Sequence, residues 1–274
     1  MMNPPDDIDS KLTALRHELR GFGSVLVCFS GGVDSGLLLA VAAAELRGDA
    51  VAFTGISASL EAREEREARA FARTLDVRHE CRATHEMSSD AYVSNPPNRC
   101  YFCKTQLYDT ARRLADELDI AVIVDGFNRD DHGDHRPGRA AAVERSIRSP
   151  LDDCGFTKEC IRTAAQALAL PLWDKPALAC LASRIPHGTA VTTERLAQVA
   201  SAELAVKAHG FRIVRVRHFG RHARVEVGSD ELERLNATTR GHLQRELGRL
   251  GFEQVTFDPR GYRRGSLNVI AREH

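Results

Sequence analysis

The chain has 274 residues, enough for a well-buried core and for two domains. Lysine plus arginine and aspartate plus glutamate both number 38, and this balance disfavours a tRNA-binding enzyme, which usually carries a basic surplus. No apolar run reaches the roughly eighteen residues of a membrane span, and the N-terminus lacks the basic and apolar regions of a signal peptide. We therefore expect a cytoplasmic protein acting on a small molecule, with cysteines that serve as thiols or metal ligands.

Short apolar runs alternate with longer helix-like runs over the first part of the chain. This alternation predicts a Rossmann-like α/β fold with a doubly wound parallel sheet. The predicted helices span residues 9–19, 37–46, 60–75, 104–118, 140–147 and 157–168, and the predicted strands span 25–29, 50–54, 77–81 and 121–124. Ligands bind such sheets at the carboxyl ends of the strands, where the segments starting at Ser30 and Asp125 are expected to lie.

The segment Ser30-Gly31-Gly32-Val33-Asp34-Ser35 follows the second predicted element, an apolar strand. Its two glycines let backbone N–H groups approach a ligand closely, and the helix that follows adds N–H groups and partial positive charge. Ser30 and Ser35 add hydroxyl donors, and Asp34 could hold a cation or orient a nucleophile. The segment predicts a site for the pyrophosphate half of ATP, although it lacks the lysine of G-x-x-x-x-G-K-[ST] loops. A serine-rich turn without a ligand is the alternative.

Two cysteines, Cys100 and Cys103, lie one helical turn apart after a pair of prolines. This spacing suits zinc, an iron–sulfur cluster or a redox pair. The alternative is two small buried side chains on a core face. Because the sequence has no second C-x-x-C, a closed site with four cysteine ligands is not expected.

Two further segments combine reactive and polar residues. Gly126 follows the fourth predicted strand and permits a close approach, and Asn128 offers a polar group near a nucleotide; a solvated turn is the alternative. Farther on, Cys180 is followed closely by Ser183 and Arg184. An arginine within reach of a cysteine favours the reactive thiolate.

The pattern changes beyond Pro186, which predicts a domain boundary between residues 1–186 and 187–274. The first part is predicted to use ATP, and the second is predicted as a smaller α+β domain for substrate binding and oligomerisation. Its helices are expected at 192–209 and 238–250, and its strands at 211–217, 223–227, 253–257 and 266–270. Arg215 and Arg217 alternate with apolar residues, as in a solvent-exposed edge strand or a clamp for a phosphate group.

The segment at Ser30 resembles the PP-loop of the ATP pyrophosphatases, which implies cleavage of ATP between its α- and β-phosphates. The chain as a whole resembles the LarE family within that superfamily. The motifs that carry this resemblance are Asn95-Pro96, Arg99-Cys100-Tyr101-x-Cys103-Lys104, Asp125-Gly126-x-Asn128, Lys175-Pro176-Ala177, Ala179-Cys180-Leu181-Ala182-Ser183-Arg184-Ile185-Pro186, Arg215-x-Arg217-His218 and Tyr262-Arg263-x-Gly265-Ser266-Leu267-Asn268.

The resemblance implies a sulfur transferase that uses ATP and Mg²⁺. It would adenylate a carboxylate of pyridinium-3,5-biscarboxylic acid mononucleotide and convert it to a thiocarboxylate, a step in synthesis of the nickel-pincer nucleotide. The chain is similar to the three-cysteine type, which implies that Cys100, Cys103 and Cys180 hold a [4Fe-4S] cluster; in single-cysteine members the counterpart of Cys180 gives up its own sulfur. The catalytic residues implied are these three cysteines and Asp34.

The same resemblance implies roles for residues on both sides of the predicted boundary. Ser183 and Arg184 are expected beside the reacting carboxylate, and Arg215 and Arg217 near the phosphate of the substrate. Glu203 and Glu226 are candidates for divalent-ion ligands at a subunit contact, with a solvated surface as the alternative. A homo-oligomer, with a hexamer as the implied form, is expected, while the sulfur donor is left open.

Three other functions are compatible with the segment from Ser30 to Ser35, which we call the nucleotide segment. A tRNA-thiolating PP-loop enzyme could share the three cysteines, but the neutral charge disfavours it. An ammonia-dependent ligase of the NAD synthetase type would not need them. A nucleotide-sensing module would bind ATP without releasing pyrophosphate.

Overall fold

The computed structural model describes residues 4–133, 137–176 and 179–263. In chain order, its helices are α1 (Pro4–Phe22), α2 (Val33–Leu46), α3 (Ala62–Thr74), α4 (Asp90–Val93), α5 (Arg99–Glu117), α6 (Gly138–Glu144), α7 (Pro150–Asp153), α8 (Lys158–Ala167), α9 (Thr193–Ala208) and α10 (Ala237–Arg249). Its strands are β1 (Val25–Cys28), β2 (Ala50–Ile56), β3 (Arg78–Ala83), β4 (Val122–Val124), β5 (Val214–Phe219), β6 (His222–Val227) and β7 (Gln254–Phe257).

These elements form two compact units. The first contains the described residues of 4–57, 62–86 and 98–176, and the second contains 58–61, 87–97 and 179–263. Two short pieces from the first half of the chain therefore belong to the second unit. The assignment of residues 1–186 to ATP and of 187–274 to the substrate and to oligomerisation stays a prediction.

The first unit is built on a parallel sheet with strand order β3-β2-β1-β4. Side chains alternate between its two faces, so that Val25 and Val27 of β1 join one apolar core while Leu26 and Cys28 join another. Helices α1, α2, α3 and α8 contribute to the first core, and α5 and α6 contribute to the second. Burial on both faces explains the nearly continuous apolar sequence of β1. The predicted doubly wound α/β fold is confirmed.

The second unit contains a three-stranded sheet with order β5-β6-β7. Strands β5 and β6 form the predicted antiparallel hairpin, whereas β6 and β7 run parallel. Val214 and Val216 face an apolar core shared with α9 and α10. The smaller α+β unit is confirmed, although its first strand begins at Val214 instead of residue 211. The predicted strand 266–270 lies outside the described residues.

Several predicted helix starts were too late, and two of them concern candidate site residues. Helix α2 begins at Val33 instead of residue 37, and α5 begins at Arg99 instead of residue 104. Both shifts matter, because they place Asp34, Ser35, Cys100 and Cys103 in first helical turns. No helix among the described residues is both long enough and apolar enough to cross a membrane.

Candidate active site

The segment from Ser30 to Ser35 forms a tight turn between β1 and α2. Gly32 is the N-cap of α2, and Gly31 has a φ of 77°, a conformation that glycine adopts without strain. The hydroxyl groups of Ser30 and Ser35 lie 3.1 Å apart, and the Ser35 hydroxyl also accepts the Ser30 backbone N–H at 3.2 Å. Helix-terminal N–H groups and two hydroxyls thus converge, which suits a phosphate group.

Gly126 brings the turn after β4 against this segment. A Cβ atom at position 126 would lie 2.8 Å from the backbone nitrogen of Ser35 and 3.2 Å from the carbonyl carbon of Asp34. Such distances exclude any side chain without movement of the backbone. The structure therefore brings together the two segments that the sequence placed separately at the carboxyl ends of β1 and β4.

Asn128 is fully buried beside the same turn. Its Oδ1 accepts the backbone N–H of Asp130 at 3.2 Å. Its Nδ2 has no hydrogen-bond partner among the described residues. A buried amide donor without a partner is costly, and this position leaves a donor available for a ligand.

Lys158 was missed by the sequence analysis. It is the first residue of α8, and its ammonium group forms an ion pair with Asp34. Asp130 accepts the backbone N–H of Lys158 at 2.7 Å, and Thr157 caps the helix as predicted. The only sequence signal for Lys158 was its place at the start of a predicted helix. The second carboxylate oxygen of Asp34, Oδ1, is buried and has no hydrogen-bond partner in the part of the chain described.

Asp125 is held by a buried hydrogen-bond network. The hydroxyls of Tyr108 and Ser149 each donate to its carboxylate at 2.8 Å. The carboxylate also accepts the backbone N–H of Phe127 at 3.2 Å. Burial, and then the charge of Asp125, raises the pKa of the Tyr108 hydroxyl well above its usual value, so that Tyr108 stays a donor. The network fixes the turn that contains Gly126.

Cys100 and Cys103 share the first turn of α5, where Cys100 is exposed and Cys103 is partly buried. Helix α6 packs closely on this turn, since a Cβ at Gly138 would lie 2.8 Å from Cγ of Lys104. Over residues 4–133, 137–176 and 179–263, no three His, Cys, Asp or Glu side chains are arranged to hold a metal ion. The fold thus places two of the three predicted cluster ligands on one helical turn.

Cys180 lies in the second unit and is exposed. It precedes a short 3-10 helix, Leu181–Arg184. The Arg184 guanidinium, expected beside the thiol, donates to the carbonyl oxygens of Ala179 at 2.7 Å and Cys180 at 3.0 Å. It also donates to the Ser183 hydroxyl at 3.0 Å. Ser183 and Arg184 are therefore brought together with the backbone of Cys180.

Arg184 also forms a buried ion pair. Its Nε and Nη2 donate to the two carboxylate oxygens of Glu203 at 2.8 and 3.0 Å, and Glu203 is completely buried. Burial by itself lowers the pKa of Arg184, but the Glu203 carboxylate outweighs it and the pKa is raised. The bidentate geometry of the pair compensates part of the loss of hydration.

Arg215 and Arg217 are buried, so the interpretation of their strand as a solvent-exposed edge is wrong. Arg217 donates to Glu226 at 3.0 and 2.8 Å and to the Ser183 carbonyl at 3.1 Å. The guanidinium of Arg215 lies over the ring of Tyr262, 5.0 Å from its centre. Burial, and then the charge of Arg184, lowers the pKa of Arg215.

Glu203 and Glu226 are not surface residues. Both are completely buried and pair with Arg184 and Arg217 inside the same unit. The expectation that they offer exposed carboxylates for a divalent ion at a subunit contact is therefore wrong. Ion pairs with Arg184 and Arg217 compensate the burial of these carboxylates.

Known proteins resemble this chain over most of its length. Residues 12–114 match the asparagine synthase family. The chain is 41% identical to an uncharacterised protein of Synechocystis, over 96% of this chain and 98% of that one. It is 33% identical to pyridinium-3,5-bisthiocarboxylic acid mononucleotide synthase of Lactiplantibacillus plantarum, over 94% of each chain. An uncharacterised protein of Methanocaldococcus jannaschii is 27% identical over 64% of this chain and 68% of that one.

Proposed function

The chain belongs to the LarE family of ATP-dependent sulfurtransferases, and we propose that it adenylates a carboxylate of pyridinium-3,5-biscarboxylic acid mononucleotide and converts it to a thiocarboxylate. This would contribute to synthesis of the nickel-pincer nucleotide. The observation that carries the proposal is the 33% identity to the Lactiplantibacillus plantarum synthase over 94% of both chains. Because the match covers nearly the full length of both chains, we infer that this chain carries out the same adenylation and sulfur transfer.

We assign adenylation to the first unit. A substrate carboxylate oxygen bonds to the α-phosphorus of ATP, the bond from that phosphorus to the bridging oxygen breaks, and pyrophosphate leaves. Ser30, Gly31, Gly32 and Ser35 would bind the leaving phosphates through N–H and hydroxyl groups, and Gly126 with Asn128 would line the same site. Asp34 would hold Mg²⁺, which offsets phosphate charge when bound.

Lys158 supports this assignment. Its ammonium lies against Asp34, so that a cation already faces the phosphate segment. Asp34 would hold Mg²⁺, and the Lys158 ammonium beside it would bind a phosphate oxygen. Lysine acts as a point charge on phosphate in other nucleotide sites.

We assign substrate binding to the polar face of the second sheet. Arg215 and Arg217 would bind the phosphate of the nucleotide, and Ser183 with Arg184 would face its carboxylate. Among the described residues, five guanidinium groups and three carboxylates are linked through ion pairs or neighbouring charges: Arg184, Arg215, Arg217, Arg224 and Arg263 with Glu203, Glu226 and Asp258. This surplus of positive charge suits a dianionic phosphate.

We assign sulfur delivery to Cys180, with Cys100 and Cys103. The chemistry of the donor set fits a [4Fe-4S] cluster, because three thiolates are its preferred ligands and two of them share one turn of α5. Such a cluster would supply an exchangeable sulfide. Without it, Cys180 would give up its own sulfur and become dehydroalanine. A homo-oligomer, with a hexamer as the form implied by the family, is part of the proposal; the sulfur donor is not specified.

Incubation with ATP, Mg²⁺ and the carboxylated nucleotide tests the proposal. Pyrophosphate, the thiocarboxylate product and the mass of the protein are measured together. We expect both products, and Cys180→Ser should retain pyrophosphate release while losing the thiocarboxylate. A loss of about 34 daltons at Cys180 identifies the sacrificial route, whereas repeated turnover with bound iron identifies the cluster. Pyrophosphate release only with tRNA would contradict the proposed substrate.

A further inference from the structure

Hydrogen bonds hold the backbone at Cys180 and just after it, while the residue itself is exposed. Leu181 and Ala182, which follow it, are buried. The backbone N–H of Leu181 donates to the carbonyl of Ser59 at 2.9 Å, and Arg184 donates to the carbonyl of Cys180. A thiol on a fixed backbone is presented in a defined direction, which nucleophilic attack requires.

Asn95 holds the turn of residues 185–189, which follows the Cys180 segment in the chain. Its Nδ2 lies within hydrogen-bond distance of three carbonyl oxygens: 2.7 Å from Pro186, 2.9 Å from Thr189 and 3.3 Å from Ile185. The backbone carbonyl of Asn95 accepts the backbone N–H of Gly188 at 2.9 Å. The two hydrogens of the amide are shared among the three carbonyls, and Asn95 thus binds the turn through both side chain and backbone.

Asparagine suits this position for two reasons. Its φ of 56° lies in the left-handed region, which asparagine tolerates better than most side chains. The residue is also completely buried, so its amide needs partners, and the carbonyls of the turn supply them. Nearby, the carbonyl of Val93 accepts the N–H of Val191 at 2.8 Å, which extends the contact.

Both pieces that the second unit takes from the first half of the chain serve this purpose. Residues 58–61 contribute the carbonyl of Ser59, and residues 87–97 contribute Asn95 and Val93. Each of these groups bonds to the stretch from Leu181 to Val191. The function of the two pieces is therefore to fix the segment that presents Cys180.

We propose that Asn95 is a positioning residue for sulfur transfer, acting by fixing the backbone that presents Cys180. The inference rests on the proposed function. In the step concerned, a sulfur nucleophile bonds to the carbonyl carbon of the adenylated substrate, the bond from that carbon to the AMP oxygen breaks, and AMP leaves with the electron pair. Small displacements of a reacting group slow such attacks strongly. Pyrophosphate release precedes the sulfur step and is expected to depend on Asn95 much less.

The variant Asn95→Gly removes the amide and keeps a backbone that glycine adopts readily at this φ. We expect thiocarboxylate formation to fall about tenfold or more, with pyrophosphate release within about twofold of the wild type. The rate at which iodoacetamide alkylates Cys180, followed by peptide mass spectrometry, should change as well. Asn95→Asp puts a carboxylate against three carbonyl oxygens and should cause a larger loss. Asn95→Ser, which keeps one side-chain donor, replaces the glycine variant if that one does not fold.

Asn236→Gly is the matched control, since Asn236 caps α10 in the same unit through the N–H of Thr239 at 2.9 Å. It should leave both steps and the alkylation rate unchanged. Equal losses in both steps with a lower melting temperature, or no change in any readout, would overturn the role of Asn95. If the wild type forms no thiocarboxylate, the proposed function fails, and the alkylation rate alone then decides whether Asn95 positions Cys180.

Discussion

The nucleotide segment of the first unit and the Cys180 region of the second satisfy their polar groups in different ways. Around Ser30–Ser35, two buried polar atoms have no partner among the described residues, Oδ1 of Asp34 and Nδ2 of Asn128. Near Cys180, two buried ion pairs join Arg184 to Glu203 and Arg217 to Glu226. The first region keeps polar atoms for a ligand, and the second uses them to hold itself in place.

This difference predicts different consequences of mutation. A change in the nucleotide segment should reduce binding or catalysis and leave folding nearly intact, because the ligand supplies the missing partners. A change in the buried ion pairs should reduce the stability of the fold, because it strands a charge in the interior. Four experiments test this contrast, from the largest expected effect to the smallest.

Glu203→Gln should destabilise the protein by about 3–5 kcal/mol, since it leaves the Arg184 guanidinium buried without its carboxylate. Urea denaturation measures the loss. Glu253→Gln is the control, because Glu253 pairs with Arg221 on the surface of the same unit; there we expect about 1 kcal/mol or less. Equal effects of the two variants would show that burial of the pair does not matter.

Asp34→Asn should slow pyrophosphate release by about 100-fold or more, equivalent to about 2.7 kcal/mol, by removing the proposed Mg²⁺ ligand. The melting temperature should change little, because Asp34 is partly exposed. The exposed Asp9→Asn variant serves as control. A variant that releases pyrophosphate normally would rule out Asp34 as a catalytic residue.

Gly126→Ala should raise the KM for ATP about tenfold and cost about 1–3 kcal/mol of stability, since the new methyl group would press on the backbone at Ser35. Nucleotide titration and denaturation measure the two effects. Gly133→Ala is a matched control, because no other atom of the described residues, chain neighbours apart, lies within 4 Å of the Cβ that it would add. Unchanged ATP affinity in Gly126→Ala would mean that the two turns need not touch.

The smallest effect concerns His79, which supports the backbone just before the nucleotide segment. Its Nε2 lies 2.8 Å from the Thr54 hydroxyl, and this hydroxyl donates to the carbonyl of Phe29. Burial, and then the charge of Arg69, lowers the pKa of His79. Below pH about 6.5 the unfolded chain binds a proton that the folded chain resists.

His79 should therefore reduce the stability of the protein as the pH falls from 7.5 to 5.5. His79→Gln should remove this contribution and flatten the dependence of the unfolding free energy on pH. Denaturation curves of both proteins at the two pH values measure it. A steeper dependence in the variant would reverse the sign of the argument.

The sequence was sufficient for the sheet and for the nucleotide segment because both depend on local pattern. Apolar runs and glycines specified β1 and the turn at Gly31 directly. Helix α2 was placed too late because Asp34 and Ser35 are weak helix formers in an interior, although first turns accept them. Local propensity could not show that these residues already belong to the helix.

The burial of Arg215 and Arg217 could not be predicted, since it depends on distant partners. Alternation identified the strand, but the burial of Arg217 depends on Glu226 and on the carbonyl of Ser183, and Arg215 lies over the ring of Tyr262. Lys158 was missed for the same reason, because its partner Asp34 lies 124 positions earlier. Pairing of charges across the chain leaves no periodic signal in the sequence.

The two pieces at Ser59 and Asn95 also set an order for folding during synthesis. A chain made from its N-terminus can complete the parallel sheet of the first unit once β4 has emerged. Residues 58–61 and 87–97, in contrast, find their partners only when the stretch from Leu181 to Val191 has been made. Until then the two pieces lack these hydrogen bonds. The backbone beside the reactive thiol can therefore become ordered only after the sheet of the first unit has formed.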